Sequence, residues 1–139
     1  MSDILVPISP GELLDKITIL RLKCARIDDP AKLVNIRREL ALLQQTWQAA
    51  IDTTAASLAE EEARLARVNA ELWDIEDQIR EHEARQHFDA AFVRLARAVY
   101  LRNDERAAIK RRINLALNSS IVEEKSYRPY GGPHGDDGR

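Results

Sequence analysis

The stretch that decides the fold is Leu58–Ile79, LAEEEARLARVNAELWDIEDQI, in the middle of the chain. Its apolar residues recur every seven positions, with two more between them: Leu58, Leu65, Leu72 and Ile79, then Val68 and Ile75. This spacing is typical of a coiled-coil-like helical seam. The predicted helix, about Ala55 to Gln86, would extend roughly 45 to 50 Å. Because a small globule cannot cover so long a helix, we expect a protruding helical hairpin or a dimer.

A strong start signal opens a first helix upstream of this stretch. Ser9 stands where an N-cap belongs, Pro10 takes the first helical position, and Glu12 can reach back to complete a capping box. Apolar residues then recur at helical spacing: Leu13, Ile17, Leu20, Cys24 and Ile27. Further apolar residues widen this stripe, so we expect the helix to contact two neighbours. The preceding segment, ILVPIS, should lie extended against the bundle.

Two further helices are predicted by the same kinds of signal. Asp29 and Pro30 open a second helix that should end near Asp52. Its apolar stripe is Leu33, Ile36, Leu40, Leu43, Trp47 and Ile51. The next segment, DTTAAS, favours a turn, although its alanines also permit a continuous helix. Asp89 fits the N-cap of a fourth helix, whose stripe begins with Phe92, Leu95, Val99 and Tyr100.

Composition supports a single all-α domain. The chain of 139 residues has only 5 Gly, 5 Pro and 5% aromatic residues, a balance that favours helices over a sheet. We predict a bundle of about four helices with a long antiparallel helical hairpin. This domain should span residues 1–130, and the Gly-rich tail, residues 131–139, should be disordered.

Charge and cysteine usage predict a cytoplasmic protein that does not enter a membrane. The lone Cys24 cannot form an internal disulfide, and its place in an apolar stripe predicts a small buried side chain. No segment has the features of an export signal or a membrane span. With a net charge of −2, the chain as a whole is not attracted electrostatically to nucleic acid or to an anionic membrane.

The fourth helix raises a question, because its apolar stripe turns polar. In VYLRNDERAAIKRRIN, residues 99–114, the side chains of Asn103, Arg106 and Lys110 continue the stripe begun by Phe92 and Val99. The third helix also carries polar residues beside or within its stripe: Asn69, Glu76 and Glu83, flanked by Trp73 and Arg80.

Three interpretations of these polar residues are open. The favoured one is a buried ionic network that fixes helix register, in which Glu76 lies near Arg106 or Lys110, since burying an unpaired charge is costly. The second is a site for an anionic ligand such as a phosphate, carboxylate or sugar nucleotide, formed by the candidate residues Asn69, Trp73, Glu76, Arg80, Tyr100, Asn103, Arg106 and Lys110. In the third, Asn103 or Asp104 caps a new helix after a bend and rotates the cations into water.

The segment after the fourth helix, NSSIVEEKSYRPY, is polar but contains Ile121, Tyr127 and Tyr130. It either crosses the bundle and brings Glu123, Glu124 or Lys125 to the polar residues, or forms a plain surface segment. Other kinds of site have little support: the histidine spacing does not favour a metal, and no hydrolase elbow or glycine-rich phosphate loop occurs. We therefore expect neither a metal nor a cofactor, and basic residues 102–112 are best interpreted as solvated positions rather than a nucleic-acid site.

Four phrases of the chain, ISPGELLDKITIL, NAELWDIEDQIR, FDAAFVRLARAVYLRNDERAAIKRRIN and SSIVEEKSY, resemble a family of short bacterial proteins of unknown function. The resemblance covers nearly the whole chain before the Gly-rich tail. It implies a small bacterial cytoplasmic protein, and it implies no activity, cofactor or catalytic residue.

The leading functional hypothesis from the sequence is a non-enzymatic helical binding or adaptor protein that self-associates through its exposed helical seam. The alternative is a small enzyme or sensor that binds an anionic metabolite between the third and fourth helices, with Glu76 as a general base. Whether the protein is an enzyme stays open at this point. Expected partners are a second copy, a protein or an anionic small molecule, and neither nucleic acid nor a membrane is expected.

Overall fold

The computed structural model describes residues 1–51 and 56–130, and within them four helices follow one another along the chain. They are α1 (Pro10–Arg26), α2 (Pro30–Ala50), α3 (Ala56–Ala84) and α4 (Ala90–Ala116). The described residues contain no strand, so the predicted all-α class is confirmed. The turn predicted at DTTAAS falls largely on residues 52–55, and the predicted disorder on residues 131–139, both outside the described residues.

Helices α1, α2 and α4 start where the capping signals predicted them. The side chain of Ser9 accepts a hydrogen bond from the backbone N–H of Glu12, that of Asp29 from Ala31, and that of Asp89 from Phe92. Each cap pairs a backbone donor that the helix itself leaves unpaired. The capping-box prediction for Glu12 is wrong, because its carboxylate pairs with Lys110 of α4 instead.

Helices α3 and α4 form the predicted antiparallel hairpin. Ion pairs fix their register: Glu61 binds Arg112 at 3.0 Å, and Glu71 binds Arg102 at 2.9 Å, so residue numbers fall along one helix as they rise along the other. Helix α1 packs against both members of the hairpin and also against α2. It therefore contacts three helices rather than the two that its apolar stripe predicted.

The hydrophobic core lies at one end of the hairpin, where α1 crosses it. Its fully buried residues come from α1, α3 and α4: Leu14, Leu58, Leu65, Val68, Ile109 and Ile113. Trp47 of α2 and Ile51, the residue that caps the end of that helix, pack against this core. From residue 70 to residue 108 no side chain is fully buried, so the far half of the hairpin extends beyond the core. This arrangement matches the protruding hairpin predicted from the heptad spacing.

Two predictions about buried apolar residues are wrong. Ile4, Leu5 and Val6 of the N-terminal segment are exposed rather than packed against the bundle. Cys24 is only half-buried, because it lies in the last turns of α1, beyond the last buried residue of that helix, Leu20. None of the described helices has the length and apolarity needed to cross a membrane.

Candidate functional site

Helix α4 runs without interruption through its polar stretch. It is continuous from Ala90 to Ala116, so the bend at Asn103 or Asp104, the third of the interpretations from the sequence, does not occur. Ile109 and Ile113 are buried in the core, whereas the side chains of Arg106 and Lys110, only 28% and 12% exposed, lie against α1. The helix thus has an apolar face that packs in the core and an adjacent cationic face that packs against α1.

A buried ionic network joins Arg106 to α1. Asp15, which is 1% exposed, accepts two hydrogen bonds from this guanidinium: one from Nε at 2.9 Å and one from Nη2. Two parallel bonds from Arg to a carboxylate fix the direction of the guanidinium as well as its distance. The carboxylate also holds the pKa of Arg106 above its usual value, against the opposing effect of burial.

The α3 helix completes this network through an amide. Asn69 Nδ2 donates to Asp15 Oδ1 at 2.9 Å and to Thr18 Oγ1 at 3.1 Å, and Thr18 Oγ1 donates to the backbone carbonyl of Asp15 at 2.8 Å. Among the described residues, no buried side-chain nitrogen or oxygen lacks a partner. Because a buried charge is tolerated only when its hydrogen bonds are satisfied, the network holds α1, α3 and α4 in one relative position.

Lys110 lies one turn further along α4 and has two acidic partners. Its Nζ is 2.6 Å from Glu12 and 3.2 Å from Glu123. Burial lowers the pKa of Lys110, but the hydrogen bond and charge of Glu12 outweigh that effect, so the pKa is raised. Glu123 also binds Lys125 at 3.2 Å and is therefore shared by two lysines.

Glu123 belongs to a segment without regular secondary structure that we call the C-terminal strap, residues 119–130. The strap runs back along α4: Glu124 binds Arg111 at 3.1 Å, and the hydroxyl of Tyr130 donates to Asp104 at 2.6 Å. The rings of Tyr130 and Tyr100 are in contact, 5.5 Å apart between centroids. The segment therefore crosses the bundle and places Glu123 at the polar residues, as one of the two sequence interpretations predicted.

The close approach of α1 to α4 depends on Gly11. Its backbone N–H donates to Asn114 Oδ1 at 2.7 Å, and a Cβ at this position would lie 2.5 Å from the backbone oxygen of Lys110. A side chain would therefore push the two helices apart. The contact sets Glu12 and Asp15 of α1 beside Lys110 and Arg106 of α4.

A cavity of about 740 Å³ lies between α4 and the C-terminal strap. Four cations and one carboxylate stand among its lining residues: Arg106, Lys110, Lys125, Arg128 and Asp104. All three tyrosines of the chain line it as well, namely Tyr100, Tyr127 and Tyr130. Asn103 completes its polar wall. The cavity can thus offer positive charge, an amide and aromatic rings to one ligand.

The candidate residues from the sequence divide into three groups. Tyr100, Asn103, Arg106 and Lys110 line the cavity. Asn69 lies behind it, in the buried network. Trp73, Glu76 and Arg80 are not among the lining residues: Trp73 is near Arg26, with the guanidinium 5.8 Å from the ring centroid, and the other two are exposed.

The acidic partners of Arg106 and Lys110 come from α1 and the strap, so the predicted pairing with Glu76 is wrong. The register of the hairpin explains the difference. Glu71 already stands opposite Arg102, and Glu76, further from the core, lies well away from Arg106 along the hairpin. The cavity that Tyr100, Asn103, Arg106 and Lys110 line therefore lies between α4 and the strap. A second cavity, of about 520 Å³, does lie between α3 and α4, but none of the candidate residues lines it.

Sequence reasoning missed Gly11, Asp15, Thr18 and Asn114. Three of them, Gly11, Asp15 and Thr18, follow one another at spacings of four and three along α1. A glycine within a helix is unfavourable unless another backbone approaches closely, so Gly11 is the residue that could have indicated this contact.

A family of unknown function matches the chain over residues 4–135. No curated protein and no solved structure matches it.

Proposed function

The chain belongs to that family of unknown function, DUF6165, and we propose that it binds a small anionic metabolite, bearing a phosphate or carboxylate group, in the cavity between α4 and the C-terminal strap. The observation that carries this proposal is the lining of the cavity, which contains four cationic side chains and one carboxylate, that of Asp104. Three of these cations have acidic partners outside the lining, namely Asp15, Glu12 and Glu123. A volume of about 740 Å³ is within the range of small-molecule sites, about 300–1,000 Å³.

Arg106 supplies a fixed donor in this proposal. Asp15 engages Nε and Nη2, and Nη1 makes no hydrogen bond among the described residues. The buried carboxylate therefore orients the guanidinium and leaves one of its nitrogens for a ligand. A donor that is already oriented loses little conformational entropy when it binds, which favours affinity.

Lys110 and Lys125 form a position for an anion, and in the structure the carboxylate of Glu123 occupies it. Glu123 binds both ammonium groups, but its side chain is 46% exposed and belongs to a segment without regular structure. A carboxylate that is half-exposed gains little stability from its ion pairs, because water screens them. A phosphate or carboxylate of the ligand can therefore replace the Glu123 carboxylate at modest cost.

Arg128 is the fourth cation of the cavity lining. It is exposed and makes no ion pair among the described residues, in contrast to Arg106, Lys110 and Lys125. Its charge is therefore not balanced locally and favours an incoming anion. The local charge, rather than the net charge of −2 for the chain, supports this proposal.

Isothermal titration with pyrophosphate, inorganic phosphate and citrate tests the proposal. We expect at least one of these probes to bind saturably, and the variants Lys125→Met and Arg128→Gln each to weaken binding about tenfold by removing a charged hydrogen bond. Matched controls are Lys32→Met and Arg94→Gln, which remove exposed cations of α2 and α4 outside the cavity. Equal affinity in all four variants, or no binding of any probe, would refute the proposal.

A binding or adaptor function remains the competing proposal, with a protein rather than a metabolite as partner. The exposed apolar side chains of the far hairpin, Phe88, Val93 and Leu101, support it and also support self-association. Sedimentation of the purified protein at several concentrations would measure self-association. A bacterial source, a cytoplasmic location and a single domain over residues 1–130 likewise stay predictions from the sequence. A general-base role for Glu76 is not proposed again, because this carboxylate does not line the cavity.

A further inference from the structure

Resting on the proposed function, we infer that the ligand is a nucleotide, in which a phosphate binds the cationic end of the cavity and a planar base stacks at its aromatic end. The observation that carries the inference is that cationic and aromatic side chains of α4 lie at opposite ends of the same cavity. Tyr100 is at one end of the cavity lining, and Arg106 and Lys110 are at the other.

The strap repeats the same polarity from the opposite wall. Because it runs antiparallel to α4, Lys125 stands near Lys110, to which it is joined by Glu123, whereas Tyr130 contacts Tyr100 and Asp104. The strap thus places Lys125 at the end nearer the core and Tyr130 at the other end. Between them along the strap are Arg128 and Tyr127, whose ring lies beside Lys125, 5.6 Å from the ammonium nitrogen to the ring centroid. A ligand held by both walls must carry its negative charge and its planar group on opposite sides.

The spacing fits a base and a phosphate joined by a sugar. Tyr100 and Arg106 are six residues apart, which corresponds to roughly 9 Å along a helix. Inorganic phosphate would fill the cationic end alone and leave Tyr100 and Tyr130 without a contact to the ligand. A polyphosphate that extended as far as Tyr100 would place negative charge against that ring and the carboxylate of Asp104.

The aromatic end has a composition suited to a base. The chain has only three tyrosines, and all three line this cavity. Tyr100 and Tyr130 contact each other and are still 43% and 47% exposed, so each presents ring surface beyond their mutual contact. Aromatic rings of this kind stack on any base, because every base has a π-face.

Asn103 supplies the polar contact that a base requires. It lies between Tyr100 and Arg106 in the lining, and its side-chain amide makes no hydrogen bond among the described residues. An Asn amide offers one acceptor and two donors, which match the hydrogen-bonding edge of a base. Along α4, the ring of Tyr100 would therefore stack on the base, the amide of Asn103 would bond to the edge of the base, and the guanidinium of Arg106 would bind the phosphate.

Titration calorimetry with a matched set of ligands tests this inference on the full chain. The probes are the four nucleoside 5′-monophosphates AMP, GMP, CMP and UMP, with ribose 5-phosphate as the same phosphate lacking a base and adenosine as a base lacking the phosphate. We expect at least one nucleotide to bind roughly tenfold or more tightly than ribose 5-phosphate, the size of one stacking contact, and adenosine to bind more weakly than that nucleotide.

Two substitutions of Tyr100 assign the preference to the aromatic end. Tyr100→Leu should bring the affinity for the nucleotide down to that for ribose 5-phosphate, while Tyr100→Phe, which keeps the ring, should retain the difference. Both variants alter a side chain outside the core, so thermal unfolding should confirm that they fold as the parent does.

The outcomes separate the inference from the proposed function. If ribose 5-phosphate and the nucleotides bind equally, or if Tyr100→Leu keeps the preference, the nucleotide inference is overturned while the anion site stands. If none of these phosphates binds and the inorganic anions do not bind either, the proposed function falls and the inference falls with it.

Discussion

Asp15 and Arg106, separated by 91 positions in the chain, form a two-bonded ion pair in which the carboxylate is almost fully buried. The pair fixes the cationic face of α4 against α1, and Asn69 of α3 binds the same carboxylate. Its outer side borders the cavity, so one interaction both holds three helices together and orients a donor for a ligand.

Removing the buried carboxylate should destabilise the protein strongly. Asp15→Asn leaves Arg106 without its anionic partner, and breaking a buried pair in this way is expected to lower the free energy of unfolding by about 3 kcal/mol. Urea denaturation measures the change. Glu76→Gln is the matched control and should shift the value by less than about 0.5 kcal/mol, because this carboxylate is exposed. Similar effects of the two substitutions would contradict the network.

Replacing both members of the pair should cost less than breaking it. In Asp15→Leu/Arg106→Met no charge is left unpaired, and apolar replacement of buried ion pairs is often close to neutral. We expect this double variant to be more stable than Asp15→Asn in the same urea measurement, and to lose affinity for pyrophosphate because the oriented guanidinium is gone. A double variant less stable than the single one would indicate that Asp15 and Arg106 act independently.

Gly11→Ala should destabilise the protein, although alanine is the better helix former. Helix propensity alone favours Ala over Gly by about 1 kcal/mol, but the new Cβ would lie 2.5 Å from the backbone oxygen of Lys110. Since a backbone atom cannot swing aside, we expect the clash to prevail and the free energy of unfolding to fall by about 1–3 kcal/mol, a typical cost of overpacking. A rise in thermal stability would show that α1 and α4 are further apart.

Glu123→Gln should reveal a pH-dependent contribution of the C-terminal strap. Burial raises the pKa of Glu123, but the hydrogen bond and charge of Lys110 outweigh that effect and hold the pKa below its usual value of 4.5. A carboxylate whose pKa is lower in the folded than in the unfolded protein stabilises the folded state at pH values above its unfolded-state pKa. That stabilisation is lost as the pH falls through the folded-state pKa. The parent should therefore melt above the variant at pH 7, and the difference should vanish well below pH 4.5. A difference that persists in acid would exclude this ion pair as its cause.

The same substitution should improve anion binding. If Glu123 occupies the position of the ligand's charged group between Lys110 and Lys125, then Glu123→Gln removes a competitor and raises the affinity for pyrophosphate. Glu124→Gln is the matched control, because its carboxylate binds Arg111, outside the cavity lining. Weaker binding in Glu123→Gln, with Glu124→Gln unchanged, would mean that Glu123 supports the site instead of occupying it.

The helices were predictable because the signals for them are local. Ser9, Asp29 and Asp89 cap the helices that their positions in the sequence predicted, and the heptad spacing of α3 predicted the hairpin. Each of these signals depends on residues within one or two turns of each other. No tertiary information is needed to interpret them.

The partners in the polar network were not predictable in the same way. Which acid meets Arg106 depends on where α1 crosses the hairpin, and that depends on the contact at Gly11. Glu76 was predicted as the partner because the polar residues of α3 were expected at its interface with α4. The buried partner of Arg106 is instead Asp15 of α1. Helix α4 has two covered faces, one against the core and one against α1 and the strap. The second face is polar, which explains why the apolar stripe turns polar.

Anion binding in the cavity can be followed directly at its side chains while an anion is added. In a ¹H–¹⁵N NMR titration with pyrophosphate, we expect saturable shifts of the Arg106 Nε–H and the Asn103 side-chain amide, and of the strap amides at Lys125 and Arg128, with the amide of Arg94 unmoved. Saturable shifts confined to residues outside the cavity, or an unchanged spectrum, would contradict an anion site between α4 and the strap.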